Sequence, residues 1–198
     1  GLRPNPSRAS DIASPPYDVI KPGTPLEKLL SEQQSSLFHI ILGDDPAGAR
    51  DRMLADGALV SDDEPAYYVY EQTWPGGQRT GVFAAAEVSP YSDKQIIRHE
   101  KTFDDKVKGR IGMRRATGLH IGPVFVLTRA PIGAALEQAK KDGPPISDFT
   151  SEVGGNSERG GIDHRVWRVP EQSPTGRAIQ AALATEPLKI ADGPHRSL

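Results

Sequence analysis

The sequence predicts an α/β domain, with an α+β arrangement as its variant, in which a mixed β-sheet carries flanking helices. Three observations lead there. The chain of 198 residues holds 20 Gly and 18 Pro, which cut it into many short elements rather than a helix bundle. From residue 67 onward, apolar strand-like runs alternate with capped helical segments. Hydrophobic residues make up 36% and charged residues 25%, the polar end of the globular range, and a chain of this length still buries roughly 70% of its unfolded surface.

The opening segments Gly1 to Pro6 and Ala13 to Asp18 are proline-rich and read as extended or turn-like, because proline fixes φ and pushes the preceding residue out of the helical region. Thr24-Pro25-Leu26-Glu27 starts a short helix with a threonine cap, proline at the first position and an acid in the first turn. The apolar run Leu37 to Leu42 reads as a strand interrupted by His39. Pro46 to Asp56 reads as a helix capped by Asp45 and stopped at Gly57. Tyr67 to Gln72 and Arg79 to Phe83 are two strands around a hairpin loop at Trp74-Pro75-Gly76-Gly77, with Trp74 covering the turn. The aromatic strand of Tyr67, Tyr68 and Tyr70 suits sheet packing, with base stacking as its other use.

Gln95 to Arg98 is a further short strand, and Asp104 to Ala116 a helix ended by Gly118. Pro123 to Thr128 reads as a buried strand, and Ile132 to Lys141 as a helix. Ile146 to Val153 and His164 to Val169 form a strand pair on either side of the glycine-rich Gly154 to Gly161, with Trp167 in the core. Pro174 to Ala184 is a helix, and Leu188 to Ala191 the last strand, expected inside a sheet with Asp192 at its edge facing a cleft. Residues 1–198 thus read as one α/β domain. Within it, 1–66 is a lead-in of short helices and 67–198 a sheet-rich part.

Composition excludes several functions. The chain has no cysteine, which rules out disulfides, cysteine-bound zinc and thiol catalysis and fits a cytoplasmic location. It contains neither an apolar run of membrane-spanning length nor a secretory leader. A net charge of −2 argues against nucleic acid as a general partner. The five histidines show no i, i+4 pair, which argues against a histidine metal site. Asp163-His164 lacks the G-x-S-x-G elbow that would mark a hydrolase triad.

The charge is unevenly placed. Between Lys94 and Arg115 stand Lys94, Arg98, Lys101, Lys106, Lys108, Arg110, Arg114 and Arg115 against only Glu100, Asp104 and Asp105. Such a stretch is either a solvated basic helix face or a site for an anion such as phosphate. The end of the chain points to the second use. Leu188 to Ala191 is an apolar run leading into Asp192-Gly193-Pro194-His195-Arg196. A glycine after a strand lets the backbone approach a phosphate. Arg196 brings a guanidinium fork, His195 a second donor, and Asp192 an oxygen for Mg²⁺ or a helix cap.

Ala191-Asp192-Gly193-Pro194-His195-Arg196 resembles the A-D-G-H-H-R signature of a domain-of-unknown-function family in the ParB/sulfiredoxin superfamily. Ser14 to Val19 matches that family's S-P-P-Y-D-V opening, and His99, Glu100 and Thr102 its H-E-x-T segment. Lys106 and Arg110 match the K-x-x-x-R helix that follows, and His164, Arg165 and Trp167 an H-R-x-W strand. The matches fall in order along the whole chain and correspond to the N-terminal half of the family. The resemblance implies a longer protein and a ParB/sulfiredoxin-like sheet.

Locally the pattern is similar to free-serine kinases, and that similarity implies a nucleotide-dependent phosphotransferase acting on a small-molecule hydroxyl. It would use ATP or ADP with Mg²⁺. Carried over, Glu100 becomes the general base and Asp192 the second catalytic residue and metal ligand, with Gly193, His195, Arg196, Lys106 and Arg110 on the nucleotide phosphates. A basic setting keeps a glutamate ionised, as a base must be. His99, next to Glu100 on a short strand, is expected on the opposite face. The alternative implied by the superfamily is a ParB-like regulatory module that binds CTP without small-molecule catalysis. Sulfiredoxin chemistry needs a thiol and is excluded. One departure bears on the site: Pro194 replaces the family's first histidine and removes an N–H from the phosphate-facing turn.

Overall fold

A computed structural model describes residues 1–98, 104–151 and 161–193, except the side chain of Lys106. It is a mixed α/β structure with three sheets among the described residues. Strand β1 (Leu2–Pro4) and α1 (Ala9–Ile12) come first, then α2 (Pro25–Glu32), where Thr24 Oγ1 accepts the Glu27 N–H at 3.3 Å as its cap.

Leu37 to Leu42 is not a strand. Phe38–Ile41 forms the short helix α3. The buried Ser36 sets the first turn, because its Oγ accepts the Phe38 N–H at 3.2 Å and its carbonyl accepts the His39 N–H at 3.2 Å. A short apolar run has no periodicity that distinguishes a helical turn from a strand, so this local cap decides. Helix α4 (Pro46–Ala55) starts where Asp45 accepts the Gly48 N–H at 2.9 Å, and the chain leaves it through Gly57 at φ 73°. Strand β2 (Leu59–Ser61) then pairs antiparallel with β1. Ile12, Ile40, Ala49, Met53, Ala58 and Leu59 form the core beneath these elements, and Ile121 packs onto it from later in the chain.

The hairpin forms as its alternation requires. Strands β3 (Ala66–Trp74) and β4 (Gly77–Phe83) pair antiparallel, and a Cβ at Gly77 would come within 2.6 Å of the Trp74 ring that covers the turn. Strand β5 (Ile96–Ile97) and α5 (Asp104–Thr117) follow, with Gly118 at φ 68° behind the helix. Next come β6 (Phe125–Leu127), α6 (Gly133–Lys141), β7 (Ser147–Ser151), β8 (Ile162–Pro170), α7 (Pro174–Leu183) and β9 (Leu188–Asp192). One sheet has the order β4-β3-β8-β7 with every pair antiparallel, and another the order β5-β9-β6.

Strand β6 departs from the buried strand expected over Pro123 to Thr128. It is an edge strand, and Phe125 and Leu127 are 48% and 55% exposed. The alternation of strand faces explains this: Val126 pairs with the buried Ile190, and its two neighbours point the other way. The centre of that sheet belongs to β9, as expected for Leu188 to Ala191.

Helices α6 and α7 cover one face of the four-stranded sheet, where Val69, Trp167 and Val169 pack with Leu136, Ala139 and Ile179. Glu71 lies on this covered face, buried against Lys140 Nζ at 2.6 Å, with Arg165 at 3.8 Å. Burial disfavours the Lys140 ammonium, but its bonds to Glu137 and Glu71 prevail and raise its pKa above the ordinary value. Removing the ammonium while keeping the stem leaves the buried Glu71 carboxylate with only the distant Arg165 at 3.8 Å and the Thr80 hydroxyl at 3.5 Å. Lys140→Met is therefore expected to cost about 2–4 kcal/mol of stability, read as a lower urea midpoint at unchanged slope.

Candidate functional site

The sequence-predicted site gathers at one end of the three-stranded sheet. Strand β9 runs parallel to β5 and antiparallel to β6, and its last residue, Asp192, pairs with Phe125. The Asp192 side chain is exposed and has no hydrogen bond or ion pair with any described residue. Gly193 follows at φ 76°, a left-handed conformation that turns the chain sharply at the strand end and disfavours any side chain. An exposed carboxylate beside a tight glycine turn is a ready oxygen donor for a hydrated divalent cation. No group of three or more His, Asp or Glu among the described residues could hold a metal alone, so such a cation would share its shell with phosphate oxygens and water. His195 and Arg196 lie outside the described residues.

The basic helix brings a second motif into contact with the first part of the chain. The Arg110 guanidinium lies over the ring of Tyr17 at 4.7 Å, so α5 and the S-P-P-Y-D-V segment meet. Arg98 lies over the Tyr91 ring at 4.8 Å. Stacking of this kind orients a guanidinium while leaving its N–H edges for an anion. Lys108, Arg114 and Arg115 on α5 make no ion pair with any described residue. Lys106 lies on the same helix with its side chain outside the described atoms, and His99, Glu100 and Thr102 lie outside the described residues.

Sequence reasoning missed a third group, on the sheet face opposite α6 and α7. Tyr70 of β3, His164 of β8 and Phe149 of β7 stand side by side, and Phe83 of β4 completes the row. Ring centroids are 5.5 Å apart from Phe83 to Tyr70, 5.9 Å from Tyr70 to His164 and 4.9 Å from His164 to Phe149. His164 Nδ1 lies 2.6 Å from the Tyr70 hydroxyl and Nε2 lies 2.7 Å from Ser151 Oγ. Burial pushes the His164 pKa below its ordinary value although Asp163 pulls it up, and burial raises that of Tyr70 against the opposing charge of Arg79.

Arg79 joins this face to the β9 region. Its Nε donates to Gln72 Oε1 at 2.6 Å, and its guanidinium lies 5.8 Å from the ring centroid of Phe125, the residue paired with Asp192. At the other end of the face, Asp62 accepts a hydrogen bond from Tyr68 and one from Arg3 at 3.0 Å, with Arg168 at 3.6 Å. Burial favours the neutral acid here, but these bonds and the two positive charges hold the Asp62 carboxyl below the ordinary range. The Tyr68 phenol is pushed up to about 12 by burial and then by Asp62.

The alternation of Tyr68, Tyr70 and Gln72, and of His164 and Val166, was a signal that these residues share a face. The pairing of β3 with β8 that joins them is long-range and leaves no mark in either segment.

No helix among the described residues is long and apolar enough to cross a membrane. Searches of curated proteins and of solved structures returned no match. A family model described as "Protein of unknown function (DUF1015)" matches residues 1–198, and the chain belongs to that family.

Proposed function

We propose that the chain is the nucleotide-binding part of a phosphotransferase that acts on a small-molecule hydroxyl, in the manner of a serine kinase. One observation carries the reading: the central strand β9 ends in the exposed Asp192 carboxylate, which has no partner among the described residues, and in the left-handed Gly193. The α5 cations Lys108, Arg114 and Arg115, which make no ion pair among the described residues, support it. Phosphoryl transfer is mostly positioning and charge neutralisation, which needs cations on the phosphates and a carboxylate near the acceptor hydroxyl.

In this account Asp192 orients a bound Mg²⁺, and Gly193 lets the backbone come close to a phosphate. Arg110, Lys106, His195 and Arg196 neutralise phosphate oxygens. Glu100 takes the proton of the acceptor hydroxyl. Bound Mg²⁺-ATP or Mg²⁺-ADP supplies the transferable phosphoryl group. A neutral or acidic chain needs no general affinity for nucleic acid to do this.

Arg196→Ala is expected to weaken nucleotide binding by about 1.5–3 kcal/mol, the scale of a charge-assisted hydrogen bond. Isothermal titration with ATP, ADP and CTP in the presence of Mg²⁺ measures this. Unchanged affinity would leave Arg196 only a turn-capping role. Selective CTP binding with no phosphoryl transfer would replace the kinase reading with the ParB-like regulatory one.

A further inference from the structure

We propose that Ser151, activated by His164, is a nucleophile that accepts the acyl group of a small apolar ester. This site is separate from the Asp192 region and does not rest on the phosphotransferase reading.

The geometry is that of an activated hydroxyl: a nucleophile within hydrogen-bond reach of a base, and the base held by a third group. Ser151 Oγ lies 2.7 Å from His164 Nε2, and the Tyr70 hydroxyl lies 2.6 Å from His164 Nδ1. With the Nδ1 proton donated to the phenol oxygen, the Nε2 lone pair faces the serine hydroxyl. The imidazole cannot easily swing away, because it is stacked between Phe149 at 4.9 Å and 15° and Tyr70 at 5.9 Å and 11°. Burial favours its uncharged form, the form a base requires, and keeps the phenol neutral as well.

Strand alternation explains why the three meet. Phe149 is opposite His164 in the β7–β8 register, so Ser151, two residues on, shares that face. Gln72 is opposite His164 in the β3–β8 register, so Tyr70, two residues back, shares it too. Asp163 points to the other face, where its carboxylate accepts from Thr150 Oγ1 at 2.6 Å, and so takes no part as an orienting acid. Ser151 and His164 are half-buried rather than sealed in the core. The rings of Phe149, Tyr70 and Phe83 make the surroundings apolar, which suits an uncharged acyl group better than a phosphorylated one.

As Oγ bonds the ester carbonyl carbon, its proton passes to His164 Nε2. The adduct collapses, the alkoxide leaves with that proton as an alcohol, and acyl-Ser151 remains. Water attacking the same carbon, with His164 again taking and returning the proton, releases the carboxylic acid and restores the serine.

The test is incubation of the protein with p-nitrophenyl acetate, followed by peptide mass spectrometry and by the rate of p-nitrophenolate release. Acetyl is expected on the peptide holding Ser151 and absent from it in Ser151→Ala. His164→Gln is expected to slow acylation by about 100-fold, the scale of lost base catalysis. Acetyl on lysines alone, or equal rates in wild type and His164→Gln, would overturn the proposal. If His164→Gln fails to fold by circular dichroism, Tyr70→Phe decides, since it keeps the ring stack and removes only the hydroxyl. Slower acylation supports the relay, and an unchanged rate overturns it.

Discussion

Glu100→Gln is expected to lower phosphoryl transfer to a small hydroxyl acceptor by about 10²-fold while leaving nucleotide affinity nearly unchanged. The amide keeps the size and much of the hydrogen bonding of the carboxylate but cannot take a proton. Glu100 stands in the most basic stretch of the sequence, next to His99 and Lys101. Glu100→Ala should behave similarly, and His99→Ala should be milder if that ring serves the sheet rather than the reaction. Steady-state kinetics with a panel of hydroxyl acceptors, together with nucleotide titration, separates the two effects. Equal losses of turnover and affinity would mark Glu100 as a binding or structural residue instead of the base.

The second large effect concerns the sheet that carries the ring row. Trp167→Ala should destabilise the fold by about 3–5 kcal/mol, the range for removing a large buried aromatic. Trp167 is 7% exposed and packs among Val69, Leu136, Ala139, Val169 and Ile179, so helices α6 and α7 lose a shared contact surface. Trp167→Phe keeps a ring in place and should lose less than half as much. Denaturant unfolding measures both, and a loss below about 1 kcal/mol for the alanine variant would mean that the core closes over the gap.

The elements legible in the sequence were those fixed by local chemistry. Thr24 and Asp45 caps, the prolines behind them, Gly57 and Gly118 marked helix ends that the structure reproduces within a residue or two. The Trp74 to Gly77 turn and the apolar run before Asp192 likewise announced their own conformations. Where a segment's state depended on partners far along the chain, the sequence was silent. Strand β2 is short, and its pairing with β1 joins Leu2 to Ser61. Phe125 and Leu127 are apolar and strand-forming, yet β6 lies at an edge because β9 takes the centre. Leu37 to Leu42 turned on the Ser36 hydroxyl rather than on its apolar residues.

The same distinction holds at the site. Asp192 and Gly193 sit at the end of a sheet strand, as their own sequence implied, and the meeting of Arg110 with Tyr17 joins two of the motifs that carried the family resemblance. The Ser151, His164 and Tyr70 group went unread because three separate strands contribute to it, and only their register brings the side chains together.

The most direct test of the nucleotide-binding account is a titration of the ¹⁵N-labelled protein with Mg²⁺-ATP, following backbone amides in wild type and in Asp192→Asn. The account predicts saturable binding, with Gly193 among the most strongly shifted amides and binding that weakens both with salt and in the variant. Binding that leaves Gly193 unshifted and Asp192→Asn as tight as wild type, or no binding of ATP, ADP or CTP at all, would contradict it.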